Sequence, residues 1–141
     1  MAQKIKLGAR LKSFAKTIDI VMLDGAAGCI PVTFRYRTRK ENAVLVDELQ
    51  AVTKAQAIAD AAAMTAKIEK GEPIEMPKQV DLLDRELSVQ VDYLMAALEG
   101  WGLDEEFDRA ALEQLADELP QAIPALIDGY RKAINEGRLG N

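Results

Sequence analysis

The sequence predicts an α+β fold: an N-terminal β-hairpin packed on a mainly α-helical bundle of about four helices. Three observations carry this prediction. Apolar residues alternate with period two between Thr17 and Arg37. From Thr38 onward they recur every three or four residues. Glycine- or proline-containing breaks at 24–29, 71–77 and 100–102 separate periodic stretches, where chain reversals belong. The length of 141 residues suits a single domain. It divides into a basic N-terminal segment with the hairpin, 1–40, and an acidic helical part, 41–141.

The first strand is read from Ile18, Ile20 and Met22 alternating with Thr17, Asp19 and Val21. Asp24–Cys29, DGAAGC, reads as the connecting loop, and Cys29 as a small turn or core residue. Val32, Phe34 and Tyr36 alternate with Thr33, Arg35 and Arg37 in the second strand. Pro31 falls near its start, where a missing donor does least harm. A lone hairpin is marginal in water, so its apolar face requires helices over it.

Thr38-Arg39-Lys40-Glu41 is a capping box and opens the first helix. Leu45, Leu49, Val52, Ile58, Ala59 and Ala62 follow at helical spacing. The alanine-rich run Ala55–Ala66 has high helix propensity and little apolar bulk. Gly71 ends the helix, and residues 71–77 (GEPIEMP) are the expected mobile loop. A second helix from Lys78 to Glu99 carries the stripe Val80, Leu83, Leu87, Val91, Leu94 and Leu98, with Gly100 as a left-handed stop. Leu87, Leu94 and Leu98 are expected in the core. Asp108 caps a third helix bearing Leu112, Leu115 and Leu119. Pro120 or Pro124 opens a fourth, with Ile123, Ile127, Tyr130 and Ile134 inward and Gly137 at its end.

Composition narrows the chemistry. There is no histidine and one cysteine, which removes Cys/His zinc sites, Ser-His-Asp triads and Cys-His pairs. No phosphate-binding glycine loop is present. Asp104, Glu105, Glu106 and Asp108 form the densest carboxylate cluster. It reads as an acidic helix start, favourable to the helix dipole, in preference to a cation site. No catalytic, cofactor-binding or metal-ligating residue is assigned. No secretory signal or membrane span is read, which points to the cytoplasm.

Charge is unevenly spread. Residues 1–40 hold nine basic and two acidic side chains, the remainder nine basic and twenty-one acidic, for a net −5. The basic front either meets the acidic back or meets an acidic partner. Arg35, Arg37 and Arg39 are the candidate contact residues on that front. On a strand Arg35 and Arg37 face away from Phe34 and Tyr36, which disfavours a base-stacking nucleic-acid platform. Trp101 lies between two glycines and is either a core plug or a partner anchor, and Phe107 follows it as a second aromatic candidate.

Four segments in order support a family resemblance. They are TFRYRTRKENAVLVDEL (Thr33–Leu49), EGWGLDEEF (Glu99–Phe107), LEQLADELPQAIPALIDGYRKAI (Leu112–Ile134) and EGRLGN (Glu136–Asn141). Together they resemble the tail assembly chaperones of long-tailed bacteriophages and prophages. Residues 55–78 carry no pattern of that family. The resemblance implies a non-enzymatic protein in the cytoplasm of the bacterial host. It would bind the tape-measure protein, keep it soluble, help recruit tail-tube subunits and leave before the virion is complete. A homo-oligomer is expected, with no membrane and no specific nucleic acid as partner. The alternative is a small nucleic-acid-binding regulator that uses the basic hairpin. A carboxylate-metal enzyme is the more distant rival.

Overall fold

The computed structural model of the chain describes residues 2–8 and 10–139. Gly140 and Asn141 of the tail segment, like Met1 and Ala9, lie outside the described residues. The elements run β1 (Ser13–Val21), β2 (Ala27–Arg35), α1 (Arg39–Glu69), α2 (Gln79–Ala97), β3 (Leu98–Trp101), α3 (Arg109–Glu118) and α4 (Ala122–Glu136). The fold is α+β, with the N-terminal hairpin and four helices that the periodicities predict.

β1 and β2 pair antiparallel, Ser13 opposite Arg35 and Val21 opposite Ala27. The turn is tighter than the expected loop. Gly25 takes a φ of 86°, its N–H donates to the Met22 carbonyl at 2.9 Å, and Asp24 Oδ1 accepts from Ala26 N at 2.9 Å. Ala27, Gly28 and Cys29 therefore already belong to β2. Their small side chains do not forbid the ladder, which depends on backbone alone. Cys29 is exposed on the strand's outer face and is neither a turn nor a core residue.

One face of the hairpin is buried through Phe14, Ile18, Ile20, Ile30, Val32 and Phe34. Met22 lies past the last paired residue and stays exposed. Pro31 stands inside β2 instead of near its start. Its carbonyl accepts from Gly102 N at 2.8 Å, on the β3 side. In extended backbone the N and carbonyl of a residue point the same way. The missing donor thus faces the edge where β3 has ended, and costs no ladder bond.

β3 is the element that sequence periodicity does not anticipate. α2 stops at Ala97, and Leu98 turns extended at φ −93° and ψ 140°. Leu98–Trp101 then pairs antiparallel with Val32–Phe34 and completes the sheet order β1-β2-β3. Gly100 is thus a strand residue, with no positive φ. Leu98 remains buried, as a helical stripe would also have placed it.

Helices cover the buried face of the sheet. α4 lies so close to β1 that a Cβ on Gly129 would stand 2.5 Å from Ile18 Cδ1. Phe34 and Tyr130 pack with their rings tilted, 4.9 Å between centres, with Phe14 at 5.4 Å from Phe34 and Tyr93 at 6.1 Å from Tyr130. Arg109 ties the start of α3 to α2 through Asp92 at 2.7 Å, and also bonds Glu113 at 3.0 Å. The bond to Asp92 is the main reason its guanidinium holds its proton more tightly than usual. Asp108 caps α3 by accepting from Ala111 N at 2.7 Å. Pro124 sits in the first turn of α4, where an N–H has no helical partner anyway, and Gly137 ends that helix at φ 70°.

α1 starts at the predicted capping box, with both reciprocal bonds formed at Thr38 and Glu41. The Thr38 backbone N–H and the Arg10 guanidinium hold the Glu41 carboxyl below its usual range. Arg10–Glu41 and Arg35–Glu99 join the basic front to the acidic part of the chain. α1 runs 31 residues without one fully buried side chain. The α2 stripe is buried only in its second half: Val91 and Leu94 are fully covered, Leu87 is half-buried, and Val80 and Leu83 are exposed. The outer parts of α1 and α2, with the exposed loop 71–77 between them, therefore extend beyond the core.

Candidate functional site

α1, α2 and α4 converge on an apolar groove of about 590 Å³. Val46, Leu49 and Ala57 line it from α1, Val89 and Tyr93 from α2, and Ile127 from α4. Each wall has a local cause. The capping box fixes where α1 begins, and so brings Val46 and Leu49 against the body. Tyr93 O–H donates to Asn42 Oδ1 at 2.7 Å, which ties α2 to the first turn of α1. Farther out, Arg85 reaches Asp60 at 3.5 Å and spans the two helices.

The floor is apolar and two cations stand on the lining. Lys54 lies on the α1 side and Arg131 on the α4 side. The Arg131 guanidinium sits 5.7 Å from the centre of the Tyr93 ring. A groove of this character suits an amphipathic helix with an acidic flank: it supplies apolar anchoring and positive charge. Among the described residues no three His, Cys, Asp or Glu side chains gather to hold a metal ion. No helix among them is long and apolar enough to cross a membrane.

The five sequence candidates do not line this groove. Arg35 is exposed on β2 and pairs loosely with Glu99 at 3.8 Å. Arg37 turns inward, contrary to the alternation that places it with Arg35. The β ladder ends at Arg35, and beyond it the chain bends toward α1, so period two no longer governs. Arg37 Nη1 donates to the Ala96 carbonyl at 2.7 Å and to Tyr130 Oη at 3.2 Å. Arg39 is exposed in the first turn of α1. Trp101 is half-buried, its ring 5.1 Å from Phe107 in an edge-on contact and its Nε1–H donating to the Glu105 carbonyl at 2.7 Å. Trp101 and Phe107 thereby organise the loop between β3 and α3.

Arg37 closes the C-terminal end of α2, whose last carbonyls have no helical donors. Tyr130 in turn donates to the Arg35 carbonyl at 2.8 Å. Burial raises the affinity of the Tyr130 hydroxyl for its proton, and the Arg37 charge works against that rise. Arg37→Ala is expected to lower stability by about 1.5–3 kcal/mol, the range for a hydrogen bond from a charged donor. Urea unfolding measures it as a shifted midpoint at unchanged m.

Leu49 and Ile127 fall on apolar stripes in the sequence, which do not mark either as a contact residue. The available signal was apolar residues off those stripes: Val46 and Val89 break the polar faces of their helices without entering the core. Across residues 1–141 the sequence matches a family described as phage tail assembly chaperone. No curated protein and no solved structure matches it at a significant level.

Proposed function

We propose, for a chain that belongs to the phage tail assembly chaperone family, that its α1–α2–α4 groove holds a helical segment of the tape-measure protein. The supporting observation is the groove itself: apolar, open, lined by three helices and flanked by Lys54 and Arg131. A long helix-rich polypeptide exposes apolar stripes, and covering them keeps it soluble. Binding has to be reversible, which distributed helix-in-groove contacts permit. The chain then acts without catalysis, in the host cytoplasm, as a homo-oligomer. It helps bring tail-tube subunits to the tape measure and is absent from the finished virion. Arg35, Arg39, Trp101 and Phe107 lie outside the groove and are the candidates for contact with a further partner.

Titration of labelled tape-measure fragments against the purified chain tests this reading. Fragments with an acidic amphipathic helix are expected to bind. Ala57→Glu with Val89→Glu, both exposed positions, should weaken binding about tenfold or more, equal to 1.4 kcal/mol or above. Salt should slow association more than it reduces affinity, because rim charges mainly steer encounter. Steeply salt-dependent duplex DNA binding, with no affinity for any tape-measure fragment, would overturn the proposal in favour of the regulator.

A further inference from the structure

We propose that the groove between α2 and α3 is a second docking site, which takes a basic amphipathic helix of a partner protein. It is separate from the α1–α2–α4 groove and stands or falls independently of the tape-measure reading.

Its floor is a single face. Val80, Leu83 and Leu87 of α2 line a groove of about 590 Å³, together with Asp84 of the same helix and Glu113 and Asp117 of α3. At about 100° per residue, the three apolar side chains fall within about 60° of arc on α2. They continue the stripe that Val91 and Leu94 bury in the core. Val80 and Leu83 are 58% and 47% exposed, and Leu87 is half-buried. The spacing i, i+3, i+7 covers about two turns, which suits the anchors of one short helix laid alongside. Val89 and Tyr93, which line the first groove, stand roughly 110–150° round α2 from the middle of this stripe. The two grooves therefore open on different sides of the helix.

Charge selects the occupant. Every ionisable side chain on the lining is a carboxylate. Glu113 is held by Arg109 at 3.0 Å, whereas Asp84 and Asp117 have no ion-pair partner among the described residues. Arg85, the cation beside Asp84, reaches away to Asp60 of α1 at 3.5 Å. An apolar stripe flanked by unpaired carboxylates complements a helix whose own stripe is flanked by Lys or Arg, and it repels an acidic one. The same sign of charge repels nucleic acid. The first groove carries Lys54 and Arg131 instead. One chain thus presents two apolar grooves of opposite charge, and like-charge repulsion sorts helical segments between them.

The test uses two labelled helical peptides of about four turns. Both carry one leucine stripe, flanked by lysine in the first and by glutamate in the second. Each is titrated against the whole chain. The Lys-flanked peptide should bind, and Asp84→Lys with Asp117→Lys should weaken it about tenfold or more. Both positions are exposed, and circular dichroism checks that the helices persist. Ala57→Glu with Val89→Glu, in the first groove, should leave this binding unchanged. Hydrogen exchange on the unaltered chain gives a reading free of substitutions: amides of 80–88 and 113–117 should slow when the Lys-flanked peptide is added. A Lys-flanked peptide that does not bind, that the Glu-flanked peptide displaces, or that survives both aspartate substitutions would overturn the proposal. So would protection of 80–88 that grows with protein concentration alone, since the face would then belong to a second copy. Failure of the Glu-flanked peptide, with Lys-flanked binding intact, would count against the first groove alone.

Discussion

Phe34→Ala is expected to destabilise the fold by about 3–5 kcal/mol, the range for truncating a buried aromatic ring. Phe34 is fully buried where the sheet meets α4. Its ring lies 5.4 Å from Phe14 and 4.9 Å from Tyr130. Truncation removes both aromatic contacts and leaves a cavity walled by β1, β2 and α4, which the strand ladder holds too rigidly to collapse. Domains of this size have a total stability of about 5–15 kcal/mol, so the loss is a large share of it. Thermal unfolding should move down by roughly 10–20 °C at about 2–4 °C or somewhat more per kcal/mol. Phe34→Leu keeps most of the volume and should cost much less. Equal costs for the two substitutions would show that volume does not matter at this site, and that the packing described between sheet and helix is wrong.

The same residue shows why much of this fold is legible from the sequence. Val32 and Phe34 alternate with exposed neighbours because one face of the sheet is wet, and period two records that directly. The capping box at Thr38 is equally local, since four consecutive residues supply both bonds. Gly137 ends α4 in the left-handed conformation that its residue type favours. β3 is different. Its four residues pair with a strand more than sixty positions earlier, and Leu98 satisfies a helical stripe as well as a strand. Only the sheet's open edge decides between the two, and that edge leaves no local mark. Arg37 escaped for a related reason: its inward turn depends on where the β ladder ends. The groove was legible in part. Its residues appear as apolar positions off the core-facing stripes, but which stripe faces the core depends on how α1 lies on α2 and α4.

Leu94→Ala is expected to cost about 2–5 kcal/mol, and Leu83→Ala far less in the single chain. The two leucines occupy one continuous stripe of α2, and sequence alone treats them alike. The structure separates them: Leu94 is fully buried beneath the sheet and the other helices, while Leu83 is 47% exposed. Removing Leu94 opens a cavity whose walls include Val91 and Leu98 of the core. Removing Leu83 takes away side chain that water already reaches, so less transfer free energy is lost and no closed cavity forms. Urea titration at sub-micromolar protein should show a large midpoint shift for Leu94→Ala and a shift near the error for Leu83→Ala, both at constant m. A cost for Leu83 that matches Leu94 would mean that the front of α2 is packed within the core.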